Sequence, residues 1–246
     1  MEKQLDYLLK VLIDEKDEII YIPNDFNSKK RLLRALMNIR PPKPIDDDYL
    51  KIQDLFLQSQ NQVADTDFKS GLNVWQGDIT TLNVDAIVNA ANSKLLGCFH
   101  PLHNCIDNII HSKAGVQLRE ECNEIMIRQG FDEHVGDAKI TKAYNLPSKY
   151  VIHTVGPAIS PNRLPTQEEC KQLASCYRSC LNLADEHNLD SIAFCCISTG
   201  VFNFPQKKAA EIAVETVKNT PHNVDKVIFD TFLDSDFLIY NNLLGD

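Results

Sequence analysis

The chain has no surplus of positive charge. Its 25 Lys and Arg face 34 Asp and Glu, for a formal net charge of −9. It therefore lacks the basic face that duplex nucleic acid requires, although a local pocket for a small anion stays open. No segment repeats at a fixed period, and no low-complexity tract is present. Glycine is scarce, at nine residues. No apolar run is long enough for a bilayer, and the opening MEKQLDYLLKVLIDEKDE is acidic and broken by Lys10. It reads as neither a signal peptide nor a membrane span. The expectation is a cytoplasmic protein with no membrane partner. Its eight cysteines (98, 105, 122, 170, 176, 180, 195, 196) should then be reduced thiols. What remains is ordinary: 246 residues, 43% hydrophobic and 24% charged, enough for one substantial core and an appendage.

Two textures divide the chain. Residues 1 to about 66 look helical. Leu5, Leu8, Leu9 and Leu12 follow the spacing of an apolar helix face. Asn27-Ser28 are placed to cap a second helix with Leu32, Leu33, Leu36 and Met37, stopped at Arg40-Pro-Pro-Lys-Pro44 because proline disfavours helix before it. A third helix is expected from Asp46–Asp48, where carboxylates suit the N-terminal dipole. After residue 70, β-type runs alternate with helical ones. Leu72–Trp75, Ala86–Asn89, Ala138–Ala143, Tyr150–Val155, Ser191–Ile197 and Lys226–Thr231 read as strands, several apolar throughout, as in a sheet covered on both faces. Thr166-Gln-Glu-Glu169 has capping-box spacing, ahead of a face formed by Leu173, Cys176, Tyr177, Cys180, Leu181 and Ala184. Another helix opens at Pro205. This alternation predicts a three-layer α/β domain, with ligands bound at the C-terminal strand ends.

Four segments fall at such ends: Gly77-Asp-Ile-Thr80, Asn89-Ala-Ala-Asn92, Val155-Gly-Pro157 and Ile197-Ser-Thr-Gly-Val-Phe-Asn-Phe204. A small-residue loop feeding a helix N-terminus offers free N–H groups to a phosphate. An ordinary βα turn has the same look, so Ser-Thr-Gly alone decides little. More distinctive is Leu96-Gly-Cys-Phe-His-Pro-Leu-His-Asn-Cys-Ile-Asp-Asn108. Cys98, His100, His103 and Cys105 are four candidate ligands, and two thiolates with an imidazole suit zinc. Structural zinc usually takes four protein ligands, whereas catalytic zinc keeps a position open. Asp107 and His111 lie one helical turn apart and would share a face. A solvated helix start is the bland reading of that pair. The thiols Cys176 and Cys180, on a helix face, and Cys195-Cys196, in a strand, read as small buried hydrophobes. Cys122 and Cys170 have no assigned role.

Taken together, GDIT, VDAIVNAAN, IDNIIHSKAG, VGP and STGVFNFP resemble the macrodomain family in order and spacing, over about residues 70 to 246. GCFHPLHNCIDN is similar to the loop of the zinc-dependent macrodomains, microbial hydrolases that remove ADP-ribose from modified proteins. Common macrodomains carry a glycine-rich run before this segment, and its replacement here accounts for the low glycine count. The resemblance implies a three-layer α/β/α macrodomain with a mixed central sheet over residues 69–246. A helical N-terminal extension would span 1–68, and the zinc loop 97–107.

By the same resemblance, Cys98, His103 and Cys105 would bind one Zn2+ and His100 would not. Asp107 would orient water or the ribose near C1″, His111 would orient Asp107 or bind ribose, and Asn92 would contact the proximal ribose. Asn89 would steady the loop. Asp78 would accept from the adenine amino group, an apt role for an ionised carboxylate, with the Ile79 N–H beside it. Ser198, Thr199, Gly200, Val201 and Phe202 would wrap the diphosphate. Phe202 or Phe204 would cover the distal sugar, and Phe232 would stack on adenine or pack in the core. Asn203 stands where the family usually has glycine, and asparagine tolerates left-handed angles. The implied function is zinc-dependent release of mono-ADP-ribose from protein side chains. The alternatives are an ADP-ribose reader with structural zinc, or an O-acetyl-ADP-ribose deacetylase. The expected partners are ADP-ribose and mono-ADP-ribosylated protein, without nucleic acid, for a chain expected to be monomeric.

Overall fold

The computed structural model describes residues 1–245. Three helices come first: α1 (Glu2–Asp14), α2 (Phe26–Ile39) and α3 (Asp47–Gln60). Leu5, Leu8, Leu9 and Leu12 of α1 meet Leu33, Leu36 and Met37 of α2 and Tyr49, Phe56 and Leu57 of α3 in a core of their own. Each fully buried leucine contributes about 1.5–3 kcal/mol, which offsets part of the backbone entropy lost in ordering these helices. Val116, from further along the chain, completes the cluster. The cap of α2 is Asp25, whose carboxylate accepts from the Ser28 N–H at 2.9 Å. The helix therefore starts two residues before the expected Asn27-Ser28 cap. Asp46 caps α3.

Six strands follow: β1 (Gly71–Gln76), β2 (Ala86–Ala91), β3 (Ala138–Lys142), β4 (Tyr150–Val155), β5 (Ser191–Phe194) and β6 (Lys226–Thr231). They form one mixed sheet in the order β1-β6-β5-β2-β4-β3. All neighbours run parallel except β3, which lies antiparallel to β4 at the edge. On one face pack α6 (Gln167–Glu186), α7 (Gln206–Asn219) and α8 (Asp234–Leu244). On the other pack α4 (Ile106–Ala114) and α5 (Val116–Gln129), with α2 against α4. The expected layers and mixed sheet are present.

Thr166 and Glu169 form the reciprocal capping box at the start of α6. The structure departs from the sequence reading again around β5 and α7. β5 stops at Phe194, so Cys195 and Cys196 sit just past the strand, Cys195 buried and Cys196 half-buried. Pro205 is the residue before α7 rather than its first helical residue. Among the described residues no helix is long and apolar enough to cross a membrane. Because β2 lies between β5 and β4, the loops after β2, β4 and β5 emerge side by side at one end of the sheet.

Candidate functional site

β2 delivers Asn89 and Asn92, and the chain then loops to α4, whose N-cap is Cys105. Within that loop the ligand atoms of Cys98, His103 and Cys105 all lie within 4.8 Å of one another. The Cys98 Sγ is 3.7 Å from the His103 Nδ1. Zinc bonds of about 2.3 Å to sulfur and about 2.0 Å to nitrogen set a tetrahedral edge near 3.5 Å. The three donors therefore fit that ion in kind and spacing. His100 is exposed and lies outside the cluster, its ring parallel to that of His103 with centroids 5.5 Å apart. Burial pushes the Cys105 thiol up to about 12, which makes it a poor free nucleophile. Gly97 is required: its φ is +77°, and a Cβ there would sit 2.9 Å from the His111 ring.

Beneath this loop is a buried polar chain. The Asn89 amide donates to the Asp107 Oδ1 at 2.8 Å and lies 3.1 Å from the His153 Nδ1. Since the amide nitrogen can only donate, the Nδ1 accepts, and the Nε2–H then donates to the Thr141 hydroxyl at 2.9 Å. Asn92 bridges the Gly97 carbonyl, at 3.1 Å, and the second Asp107 oxygen, at 3.3 Å. Asp107 and His111 are both 5% exposed, which rules out a solvated helix start. Burial raises the Asp107 pKa to about 6, against the opposing pull of Asn89, the Arg119 charge and Asn92. Burial, His153 and Arg119 hold His111 well below its ordinary value. His111 is therefore neutral, and its 3.6 Å approach to Asp107 is neither an ion pair nor a hydrogen bond. Neither of its ring nitrogens has a hydrogen-bond partner.

A second buried group, His111, Cys122 and His153, also has ligand-type atoms within 4.8 Å. Both His153 nitrogens are already engaged by Asn89 and Thr141. A cation there would have to displace one of those partners and also deprotonate a thiol raised by burial. Hydrogen bonding explains that cluster better than a metal does.

Past the end of β1, at the edge of the sheet, Asp78 caps a short 3₁₀ turn, Ile79–Thr81. One carboxylate oxygen accepts from the Thr80 N–H at 3.1 Å and the other from the Lys113 ammonium at 2.7 Å. Burial works to raise its pKa, but Lys113 and Thr80 outweigh that and lower it. Asp78 is thus an ionised acceptor. The Ile79 side chain is buried. After β5, Ser198 and Asn203 adopt φ of 67° and 55°, so the asparagine does take the glycine-like turn. Phe204 N–H to Ser198 O and Asn203 N–H to Gly200 O close the loop. The N–H groups of Gly200, Val201 and Phe202 have no protein acceptor among the described residues. Such a row is suited to phosphate oxygens. Phe204 is buried in the core, which leaves Phe202 for the rim, and Phe232 is 77% exposed, which excludes core packing.

Sequence reasoning missed several residues here. Lys113 reaches Asp78 from the far end of α4. Asn108, one residue past Asp107, donates to the carbonyls of Cys98, at 3.2 Å, and His100, at 3.0 Å. Arg119 is buried, with its pKa lowered by burial to about 10, and donates to the Leu96, Met37 and Arg40 carbonyls. A charged or amide residue within a helical motif gives no local sign of such contacts.

The protein is thus of the α/β/α class with a parallel-cored sheet, and its strand-end loops carry unpaired N–H groups, an ionised carboxylate and a buried carboxyl held by two asparagines. The chain matches the Macro domain family over residues 88–213. It is 50% identical over 250 residues to a protein-ADP-ribose hydrolase of Staphylococcus aureus (strain MSSA476), covering 96% of this chain and 93% of that one. It is also 50% identical to a protein-ADP-ribose hydrolase of Treponema medium, covering 97% of both chains. Among solved structures, an Oceanobacillus iheyensis macrodomain with ADPR aligns with TM-score 0.65 and 34% identity, covering 73% of this chain and 95% of that one. A Trypanosoma brucei macrodomain in complex with ADP-ribose aligns with TM-score 0.63 and 27% identity, covering 86% and 95%. The chain belongs to the macrodomain family.

Proposed function

We propose that this chain is a protein-ADP-ribose hydrolase that releases mono-ADP-ribose from modified side chains and depends on one zinc ion held by Cys98, His103 and Cys105. Relatives named for that activity, 50% identical over almost the whole chain, support the hydrolase reading. The convergence of the three donors within 4.8 Å carries the zinc reading.

The chain's own residues divide the work. The Asp78 carboxylate accepts from the adenine amino group, and the Ile79 N–H supports the base. The free N–H groups of Gly200, Val201 and Phe202 hold the diphosphate, which is how an acidic protein binds an anion. Phe202 covers the distal sugar and Phe232 stacks on adenine. At the other end Asn92 contacts the proximal ribose. Asp107, kept in place by Asn89 and Asn92, orients water or the ribose beside C1″. His111 packs against Asp107 and Gly97 and positions both. Holding both ends of the substrate against a fixed carboxylate contributes by orientation. Zinc, when bound, supplies Lewis-acid polarisation and charge stabilisation where the leaving group departs.

A reader module would share every contact in the nucleotide half. The buried chain from Thr141 through His153 and Asn89 to Asp107 favours the enzyme, because binding alone has no need of a carboxylate fixed beside the ribose. Metal analysis paired with ADP-ribose release from a modified protein tests the proposal on wild type and Cys105→Ala. The expected result is one zinc per wild-type chain, lost together with release in the variant. Full turnover by Cys105→Ala in metal-free buffer would overturn the zinc reading. Binding without release by wild type would leave a reader, and faster turnover of O-acetyl-ADP-ribose would make it a deacetylase.

A further inference from the structure

We propose that Arg34 and Asn38, both on α2 of the N-terminal helical region, are positioning residues for the zinc loop, so that the extension completes the metal site. This rests on the zinc reading above.

The two side chains reach the loop at the points that set its ligands. The Arg34 Nη2 donates to the carbonyl of His103 at 2.6 Å and to the side-chain oxygen of Asn108 at 2.8 Å. Asn108 in turn donates to the carbonyls of Cys98 and His100, and its backbone N–H points at the Cys105 sulfur at 3.4 Å. One guanidinium therefore ties down His103 directly and Cys98 through the Asn108 side-chain amide, while the backbone N–H of the same Asn108 meets the Cys105 sulfur.

Asn38 is 1% exposed, and both ends of its amide are used. Its nitrogen donates to the Ser112 hydroxyl at 2.8 Å, and its oxygen accepts from the Leu102 N–H at 3.0 Å. Leu102 has φ of 56°, a conformation that a bulky L-residue avoids. It immediately precedes His103. A strained residue beside a ligand persists only where its surroundings hold it, and Asn38 supplies that hold. Ser112 donates onward to the Asn108 carbonyl at 2.6 Å, closing the network on α4. Second-tier hydrogen bonds of this kind orient first-tier ligands, and their loss typically weakens metal binding about 10–100-fold.

The test uses the full chain and zinc itself. Zinc affinity is measured by competition with a chromophoric chelator for wild type, Arg34→Met, Arg34→Lys and Asn38→Leu. Melting temperature is measured with and without zinc, and the absorption of the Co2+-loaded proteins is recorded. The expected result is zinc affinity about 10–100-fold weaker in Arg34→Met and Asn38→Leu, partial recovery in Arg34→Lys, and a shifted thiolate–Co2+ band. The gap between zinc-loaded and zinc-free melting temperatures should shrink, a change that general destabilisation of the chain does not produce. Zinc affinity within about twofold of wild type in both Arg34→Met and Asn38→Leu, with an unshifted Co2+ spectrum, would overturn the inference while leaving the zinc site standing. Absence of zinc binding by wild type would overturn the zinc reading first and this inference with it.

Discussion

Two loops follow the adjacent parallel strands β2 and β5 and are built in opposite ways. The loop from Ser198 to Phe204 works with its backbone. Its left-handed turns at Ser198 and Asn203 free a row of N–H groups, and the side chain of Val201 points outward, 67% exposed. The loop from Leu96 to Asn108 works with its side chains. It carries the ligands proposed for zinc, Cys98, His103 and Cys105, in a loop that Asn108, Arg34, Asn38 and Arg119 hold by hydrogen bonds, three of them from other helices. A backbone site tolerates changes of residue type as long as the turn survives. A side-chain site fails when a donor or its support is removed. The exposed faces of the two loops should therefore respond very differently to mutation.

The largest expected effect is on the side-chain loop. Cys98→Ala or His103→Ala should lose zinc and reduce ADP-ribose release about 1,000-fold, since charge stabilisation of several kcal/mol is at stake. Metal analysis and a release assay on the same sample check this, and retained turnover without metal would break the contrast. Next, Asp107→Asn should lower kcat about 100-fold or more while calorimetric affinity for free ADP-ribose changes less than about threefold. An equal loss in both would move Asp107 from chemistry to binding. Asp78→Asn should show the reverse pattern, with ADP-ribose binding weaker by about tenfold or more, as expected for a hydrogen bond to a charged acceptor. A wild-type affinity in that variant would place adenine elsewhere.

A smaller effect concerns the support of the backbone loop. Ile159 donates to the Phe202 carbonyl, and a few residues on Arg163 pairs with Glu169. The Arg163 guanidinium, followed by the Thr166 N–H, holds the Glu169 pKa down to about 2 from an ordinary 4.5. A folded pKa below the unfolded one means that this stabilisation is complete above pH 4.5 and fades as pH falls towards 2. Glu169→Gln should therefore lower the melting temperature slightly at neutral pH and merge with wild type in acid. A difference that persists at pH 2 would contradict the charge origin. The smallest effect is expected for Val201→Ala, with binding and turnover within about twofold, as for exposed substitutions in general. A loss above tenfold would mean that the side chain, rather than its N–H, touches substrate.

The legibility of the molecule follows the same division. β4 and β6 are readable to their end residues, because each centres on a short β-branched run, Val151-Ile152 and Val227-Ile228, that turn residues bound. The Thr166–Glu169 box was equally plain, since both partners lie within one turn. The start of α2 is ambiguous in the sequence because Asp25, Asn27 and Ser28 all suit a cap, and the choice depends on which side chain meets a first-turn N–H; the Asp25 carboxylate accepts from Ser28. The run past Phe194 reads as strand because it stays apolar through Ile197, yet its pairing with β2 and β6 stops at Phe194 although both neighbours run on. Asp107 and His111 shared a face as their spacing required, but whether that face was wet was not written in the spacing.

By itself the sequence determined the order of strands and helices, the loops at the strand ends and the candidate ligands Cys98, His103 and Cys105, because periodicity, capping and motif spacing act over a few residues. Only the tertiary structure decided that His100 stands apart, that Asp107 and His111 are buried, and that Arg34 and Asn38 brace the loop. Those two contacts join residues 74 and 64 positions apart. Burial and hydrogen-bond partners at that range are set by packing between elements, which a local pattern does not encode.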